Sequence, residues 1–253
     1  MDRMIYTALN ALAVTRDSQV AQAQNLANQT VPGYRRDLPN EGGVRFLEQM
    51  QGLTTRAFQI ETGPAGFSDT SGTLTRTDEE LDVAIADRGY FYIQPSNGEP
   101  ALSRRGDLRR DVDGTLRNGA GDAMLGPDLA PVQVPPYRNI RITDIGEVFI
   151  QPIDAPEGEA VLAGVLATTV PPDGTALTKG ADGNIRPIEG ALPAPNQMAE
   201  VLQGSLEGSN VNPVEELLST MEMQRRFEHG MRLVMTARDL DESGARVMQA
   251  PEG

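Results

Sequence analysis

Five dipeptides of one kind, Asn97-Gly98, Asp113-Gly114, Asn118-Gly119, Asp173-Gly174 and Asp182-Gly183, fall between residues 97 and 183. Asn and Asp tolerate positive φ and Gly adopts it freely, so between apolar runs each pair signals a hairpin turn. A parallel crossover needs a dozen or more residues, and turns this closely spaced leave little room for one. Short antiparallel strands are therefore predicted. "LDVAIA" (81–86) alternates, and "YFYIQ" (90–94) and "EVFIQ" (147–151) read as strand cores. Residues 73–204 are read as an all-β region. Residues 37–72, rich in Gly, Pro and polar residues without periodicity, are read as a linker with short extended pieces. The sequence shows no internal repeat.

The two ends have a different period. In residues 2–29 the apolar positions Ile5, Leu9, Leu12, Val20, Ala23, Leu26 and Ala27 recur at spacings of three and four, interrupted by the polar "TRDSQ". That predicts an amphipathic helix, about 40 Å long at ~1.5 Å per residue. Val31-Pro32-Gly33-Tyr34 then fits a type II turn, with Pro presetting φ at the second position and Gly supplying positive φ at the third. At the far end Asn212 is a strong N-cap, Pro213 suits the first helical position, and Glu215 completes a capping box. Glu215 and Glu216 complement the positive end of that helix, and Arg238 and Arg246 lie toward the other. Its apolar pattern begins on Val214, Leu217, Leu218 and Met221, then moves to Met223, Phe227, Met231 and Val234. Stripes on two faces predict more than one neighbour. The fold class is α+β: a mainly antiparallel β middle, with terminal helices pairing into a discontinuous, coiled-coil-like domain of residues 1–36 and 205–253.

Composition narrows the function. The protein has 36 acids against 22 bases, a net charge of −14. Phosphate neutralisation needs clustered Lys and Arg, so nucleic acid is a poor partner. Residues 37–204 hold 25 of the acids and 13 of the bases, which leaves the ends near neutral and able to pack against other copies without strong repulsion. Cysteine is absent, which excludes disulfides and thiolate metal sites. No apolar run approaches the ~20 residues of a membrane span, and Thr7 and Asn10 interrupt the only stretch that resembles a signal peptide.

Little supports catalysis. His229 is the one histidine and falls within the predicted helix, with no Gly-x-Ser-x-Gly elbow anywhere in the sequence. "DVDGTLRNGAGD" (111–122) carries Asp at calcium-loop positions one, three and twelve, but Leu116 stands where the loop needs Gly. Asp113-Gly114 is better read as a hairpin turn. Gly119-Ala120-Gly121 lacks the third glycine of a dinucleotide loop, and no Walker sequence is present. No catalytic, cofactor or metal residue is assigned. The alternative from another class is a secreted β-rich enzyme or calcium-binding module.

"MDRMIYTALNA", "NLANQTVPGYRR" (25–36) and "LEGSNVNPVEELLSTMEMQRRFE" (206–228) resemble the terminal signatures of the bacterial flagellar rod and hook proteins. The opening Met-Asp-Arg and the stretch 206–214 are most similar to the family's proximal-rod members. "LDVAIADRGYFYIQ" (81–94) resembles the first strands of its middle domain, and "LTKGADGNIRP" (177–187) resembles its later Lys-Gly-x-Asp-Gly segment. Val31 stands where Thr is commoner, and "LSRRGDL" (102–108) replaces the more usual Tyr-Thr-Arg-Asn-Gly. The resemblance implies a non-enzymatic subunit of the proximal rod, with the distal rod or hook protein as the same-family alternative. It implies self-association through terminal helices and packing with other proximal and distal rod subunits. Export would run through the flagellar type III apparatus without a cleaved signal, to a rod spanning the periplasm, with no direct membrane insertion. On the matching motifs, the assembly residues are Asn25, Leu26, Asn28, Pro32, Gly33, Tyr34, Leu206, Glu207, Ser209, Asn210, Val211, Asn212 and Pro213. Asn25 and Asn28 share a helix face and are expected to hydrogen-bond across a helix–helix contact.

Overall fold

In the computed structural model, residues 2–38, 66–154, 156 and 158–248 are described. Most of the predicted linker 37–72 lies outside them. Helix α1 covers Asp2–Ala27. It ends two residues before the predicted limit because Asn28 already opens a turn, with its carbonyl accepting from Val31 N–H at 3.1 Å. The strands that follow are β1 (Leu74–Arg76), β2 (Val83–Ile85), β3 (Tyr90–Gln94), β4 (Ala101–Ser103), β5 (Leu108–Arg110), β6 (Leu116–Asn118), β7 (Ala123–Met124) and β8 (Tyr137–Ile142). After these come β9 (Glu147–Pro152), β10 (Val161–Val165), β11 (Thr168–Thr169), β12 (Leu177–Lys179), β13 (Ile185–Pro187), β14 (Val201–Gln203) and β15 (Ser205–Glu207). Helix α2 covers Pro213–Met248. The fold class is α+β, and every strand pairing among the described residues is antiparallel.

The protein divides into two compact units: residues 1–27, 37–66 and 212–253 form one, and residues 28–36 and 67–211 form the other.

In the β unit the largest sheet runs β12-β13-β4-β3-β7-β6-β5, with β11 also paired to β3. Strand β3 has both edges occupied, by β4 on one side and by β7 and β11 on the other. It is buried on both faces as well. Phe91 and Ile93 enter the main core with Val83, Ile85, Val148 and Leu166, whereas Tyr90 and Tyr92 enter a second cluster with Leu102, Leu125 and Ile185. That is why "YFYIQ" is apolar without alternation. "LDVAIA" alternates in sequence, yet Val83, Ala84 and Ile85 are all buried, because β2 pairs with β14 inside the unit. Smaller sheets are β10-β9-β8, β14-β2 and β1-β15. Asp113-Gly114 turns β5 into β6, and Asp182-Gly183 turns β12 into β13, both with Gly at positive φ.

In the helical unit the described side chains of α1, residues 15–27, make a polar link to α2; Ile5, Leu9 and Leu12, which carry much of the predicted apolar face, lie outside the described side chains. Among the described side chains of α1, Gln22 and Asn25 are buried while Val20 is exposed. Gln22 Nε2 donates to Ser219 Oγ, and Thr220 Oγ1 donates to Gln22 Oε1 at 3.2 Å. A buried amide left unpaired would cost ~1–3 kcal/mol, and the two hydroxyls of α2 meet that need. The Gln22 amide thus links the two helices. Asn25 holds the segment after α1: its Nδ2 donates to Asp37 O at 2.9 Å and its Oδ1 accepts from Asp37 N at 2.7 Å. Helix α2 starts as read, with Asn212 Oδ1 accepting from Val214 N at 3.1 Å. Its first apolar stripe, Val214, Leu217, Leu218 and Met221, is more than half exposed at every position, whereas Met223 of the second stripe is buried.

Candidate functional site

Parts of two quoted motifs, residues 28–36 and 206–211, meet within the β unit. Strand β15 pairs with β1, Glu207 opposite Leu74 and Leu206 opposite Thr75. The Val31–Tyr34 turn lies against this ladder. Tyr34 N–H donates to Val31 O at 3.3 Å, which closes the turn, and Gly33 N–H donates to Glu207 O at 2.7 Å. Gly33 has φ +66°. A Cβ there would sit 2.3 Å from the backbone carbonyl of Arg104. Glycine is required twice, for the positive φ and for the close approach of the two backbones.

Beneath this contact lies a buried ionic junction. The Glu207 carboxylate receives Arg104 Nε at 2.7 Å, Arg35 Nη2 at 3.2 Å and Gly72 N–H at 2.8 Å. Both arginine side chains and the carboxylate are almost fully buried. Arg104 spends its other donors on carbonyls: Asp87 at 2.7 Å, Gly89 at 2.5 Å and Ile85 at 3.1 Å. Its guanidinium carbon lies 5.8 Å from the Tyr90 ring centroid, and Tyr90 Oη donates to Asp69 Oδ1 at 2.8 Å. Burial, and then the bond to Asp69, push the Tyr90 hydroxyl well above the ordinary tyrosine range. Arg35 also donates to Thr70 O. Burial lowers its pKa, with Glu207 opposing.

Asn210 ties the remaining segments together. Its Oδ1 accepts from Arg36 N at 2.6 Å, and its Nδ2 donates to Ser68 O at 3.1 Å and Thr70 O at 2.7 Å. The single lysine, Lys179, donates to Arg35 O at 2.9 Å and sits 3.6 Å from the Tyr34 ring centroid. Val211 is buried, and Ser209 Oγ accepts from Val211 N at 3.2 Å.

The expected assembly residues are thus distributed. Gly33, Tyr34, Leu206, Glu207, Ser209, Asn210 and Val211 come together in the β unit, with Pro32 inside the turn and Asn28 at its start. Asn25, Leu26, Asn212 and Pro213 belong to the helical unit. Sequence reading missed Arg35, Arg104, Tyr90, Asp69 and Lys179 as participants. "LSRRGDL", the segment that departs from the family's wording, supplies the central cation. Arg104 has the parity of the buried Leu102, so it continues a core face, and a cation there must have a partner.

Chemically the junction offers no nucleophile and no open coordination position. Apart from Arg35 Nε, which is buried without a hydrogen-bond partner, its donors and acceptors are turned on one another, which suits a mechanical role. Among the described residues no group of three His, Cys, Asp or Glu is placed to hold a metal, and no helix is long and apolar enough to cross a membrane. Asp113 of the calcium-like stretch caps its own turn, accepting from Thr115 N at 2.9 Å. His229 is exposed on α2.

Comparison with known proteins matches two family descriptions. Residues 84–150 match the flagellar hook protein FlgE/F/G D1 domain, and residues 202–247 match the flagellar basal body rod FlgEFG protein C-terminal region. The first segment contains Arg104 and the second Glu207. The flagellar basal-body rod protein FlgF of Salmonella typhimurium is 30% identical, over 98% of this protein and 98% of its own length. FlgF of Escherichia coli is 30% identical over 94% and 95%, and FlgG of Agrobacterium fabrum is 27% identical over 92% and 97%.

Proposed function

The chain belongs to the family of flagellar basal-body rod proteins, and we propose that within it the molecule is a proximal-rod subunit. It is a structural, non-enzymatic component of the basal body. The helical parts of residues 1–36 and 205–253 act as the assembly element, in a coiled-coil-like pairing extended by contacts with other proximal and distal rod subunits. Residues 73–204 are the β part that this element carries, with 37–72 as the connection. The protein is exported through the flagellar type III apparatus without a cleaved signal and functions where the rod spans the periplasm. The terminal motif residues fix how the polypeptide passes between the packing helices and the β part, and torque crosses that passage.

The observation that carries this reading is the first stripe of α2. Val214, Leu217, Leu218 and Met221 follow the i, i+3, i+4, i+7 spacing of a packing face, yet each is more than half exposed in the single subunit. A contiguous exposed apolar face marks an interaction site, and in a rod subunit the partner is another axial subunit.

The test replaces Leu217 and Leu218 together with Asp. The variant should be secreted normally and keep the β unit's thermal transition, while isolated basal bodies lack complete rods and motility is lost. Full-length rods built from that variant would overturn the assignment of this face.

A further inference from the structure

The sequence contains two Asn-Gly dipeptides, Asn97-Gly98 and Asn118-Gly119, and the structure treats them oppositely. Asn97 and Gly98 are both exposed, in the loop between β3 and β4. The Asn97 amide and the Gly98 N–H make no hydrogen bond among the described residues. Gly98 has φ +145°, a conformation that residues bearing a side chain rarely adopt. Asn118 is 1% exposed. Its Nδ2 donates to Asp122 Oδ2 at 3.1 Å, its Oδ1 accepts from Ala120 N at 2.9 Å and Asp122 N at 3.0 Å, and Gly119 N–H donates to Asp107 Oδ1 at 3.3 Å.

We infer that Asn97 is a site of spontaneous, enzyme-independent deamidation, and that Asn118 is protected from it by its place in the fold. The reaction needs the backbone nitrogen of the following residue to attack Cγ of the Asn amide. The Gly98 nitrogen loses its proton and forms a bond to Asn97 Cγ, the Cγ–Nδ2 bond breaks, and ammonia leaves. Water then opens the resulting succinimide at either carbonyl, giving Asp or iso-Asp at position 97. Glycine favours the step because no side chain obstructs the approach, and neither the Asn97 amide nor the Gly98 N–H is engaged by another partner among the described residues. At 118–119 the attacking nitrogen and both ends of the amide are held by other partners.

The altered position lies outside the strand ladder. The β3–β4 pairing ends at Ile93 opposite Ala101. In the loop, Gln94 Nε2 holds Gly98 O at 2.7 Å and Arg186 Nη2 holds Glu99 O at 3.1 Å. A carboxylate at 97, or the extra backbone carbon of iso-Asp, is therefore accommodated without loss of register. The modification leaves the subunit folded.

The experiment incubates the full-length protein in mildly alkaline buffer, native and urea-denatured in parallel, and follows both dipeptides by peptide mapping with mass spectrometry. In the native protein Asn97 should lose its amide progressively while Asn118 keeps it; in the denatured protein both should convert. Asn97→Gln should abolish conversion at 97 without changing the thermal transition. Equal conversion of both sites in the native protein, or an intact Asn97 when the denatured protein has lost both amides, would overturn the inference.

Discussion

Glu207 is the residue on which the candidate site turns. Removing one member of a buried charge cluster leaves its partners desolvated and unpaired, at a cost of ~3–5 kcal/mol. Glu207→Ala leaves two buried guanidinium groups without their shared carboxylate. It should lower the β unit's stability by about that amount, read as an earlier urea midpoint at an unchanged slope. A midpoint within error of the parent would show that the cluster contributes nothing net. Gly33→Val acts at the same place by a different cause: the new side chain meets the Arg104 backbone, and its φ is disfavoured. The variant should keep its strand signal by circular dichroism but fail to restore motility in a strain lacking the gene. The turn was legible because Pro-Gly chemistry is local. The Glu207–Arg104 pair was not, because the two residues are 103 positions apart, and only the shared parity of Leu102 and Arg104 hinted that a charge pointed inward.

Among the elements, the C-terminal helix was the most legible, since Asn212 and Pro213 announce its start. Loss of the Asn212 bond to Val214 N should cost ~1 kcal/mol, so Asn212→Ala should reduce helical ellipticity while leaving the β transition in place. The hairpin β12–β13 gives a pH-dependent counterpart. Asp182 is held below its ordinary pKa of 3.8, first by the hydrogen bonds from Arg186 and then by the Asn184 backbone N–H, against an opposing effect of burial. A carboxyl whose folded pKa is depressed stabilises fully above its unfolded value and loses that contribution as pH falls through the folded one. Amide exchange in residues 177–187 should therefore accelerate specifically below about pH 4, and Asp182→Asn should remove that step. What the elements did not announce was the polar link between α1 and α2 at Gln22. Spacing marked Val20 and Ala23 as inward-facing, but Ser219 and Thr220 on the opposing helix select the amide of Gln22, and complementarity between two distant helices is invisible to a one-dimensional pattern.

At the scale of the whole molecule the two units differ in how they satisfy themselves. The β unit has two apolar clusters, strands paired on both edges at β3 and a buried ionic junction around Glu207. The helical unit exposes the first stripe of α2, and among the described residues an amide of α1 meets two hydroxyls of α2. Under the proposed function that division has a use: one part that folds alone and one that is completed by neighbouring subunits. The most direct measurement is hydrogen exchange on a verified monomer, compared with the same protein in isolated basal bodies. Slow exchange across β2–β14 in both states, with α1 and α2 exchanging fast in the monomer and slowly in the rod, is the predicted result. Helices as strongly protected in the monomer as in the rod would contradict it, because no part of the subunit would then be waiting for a partner.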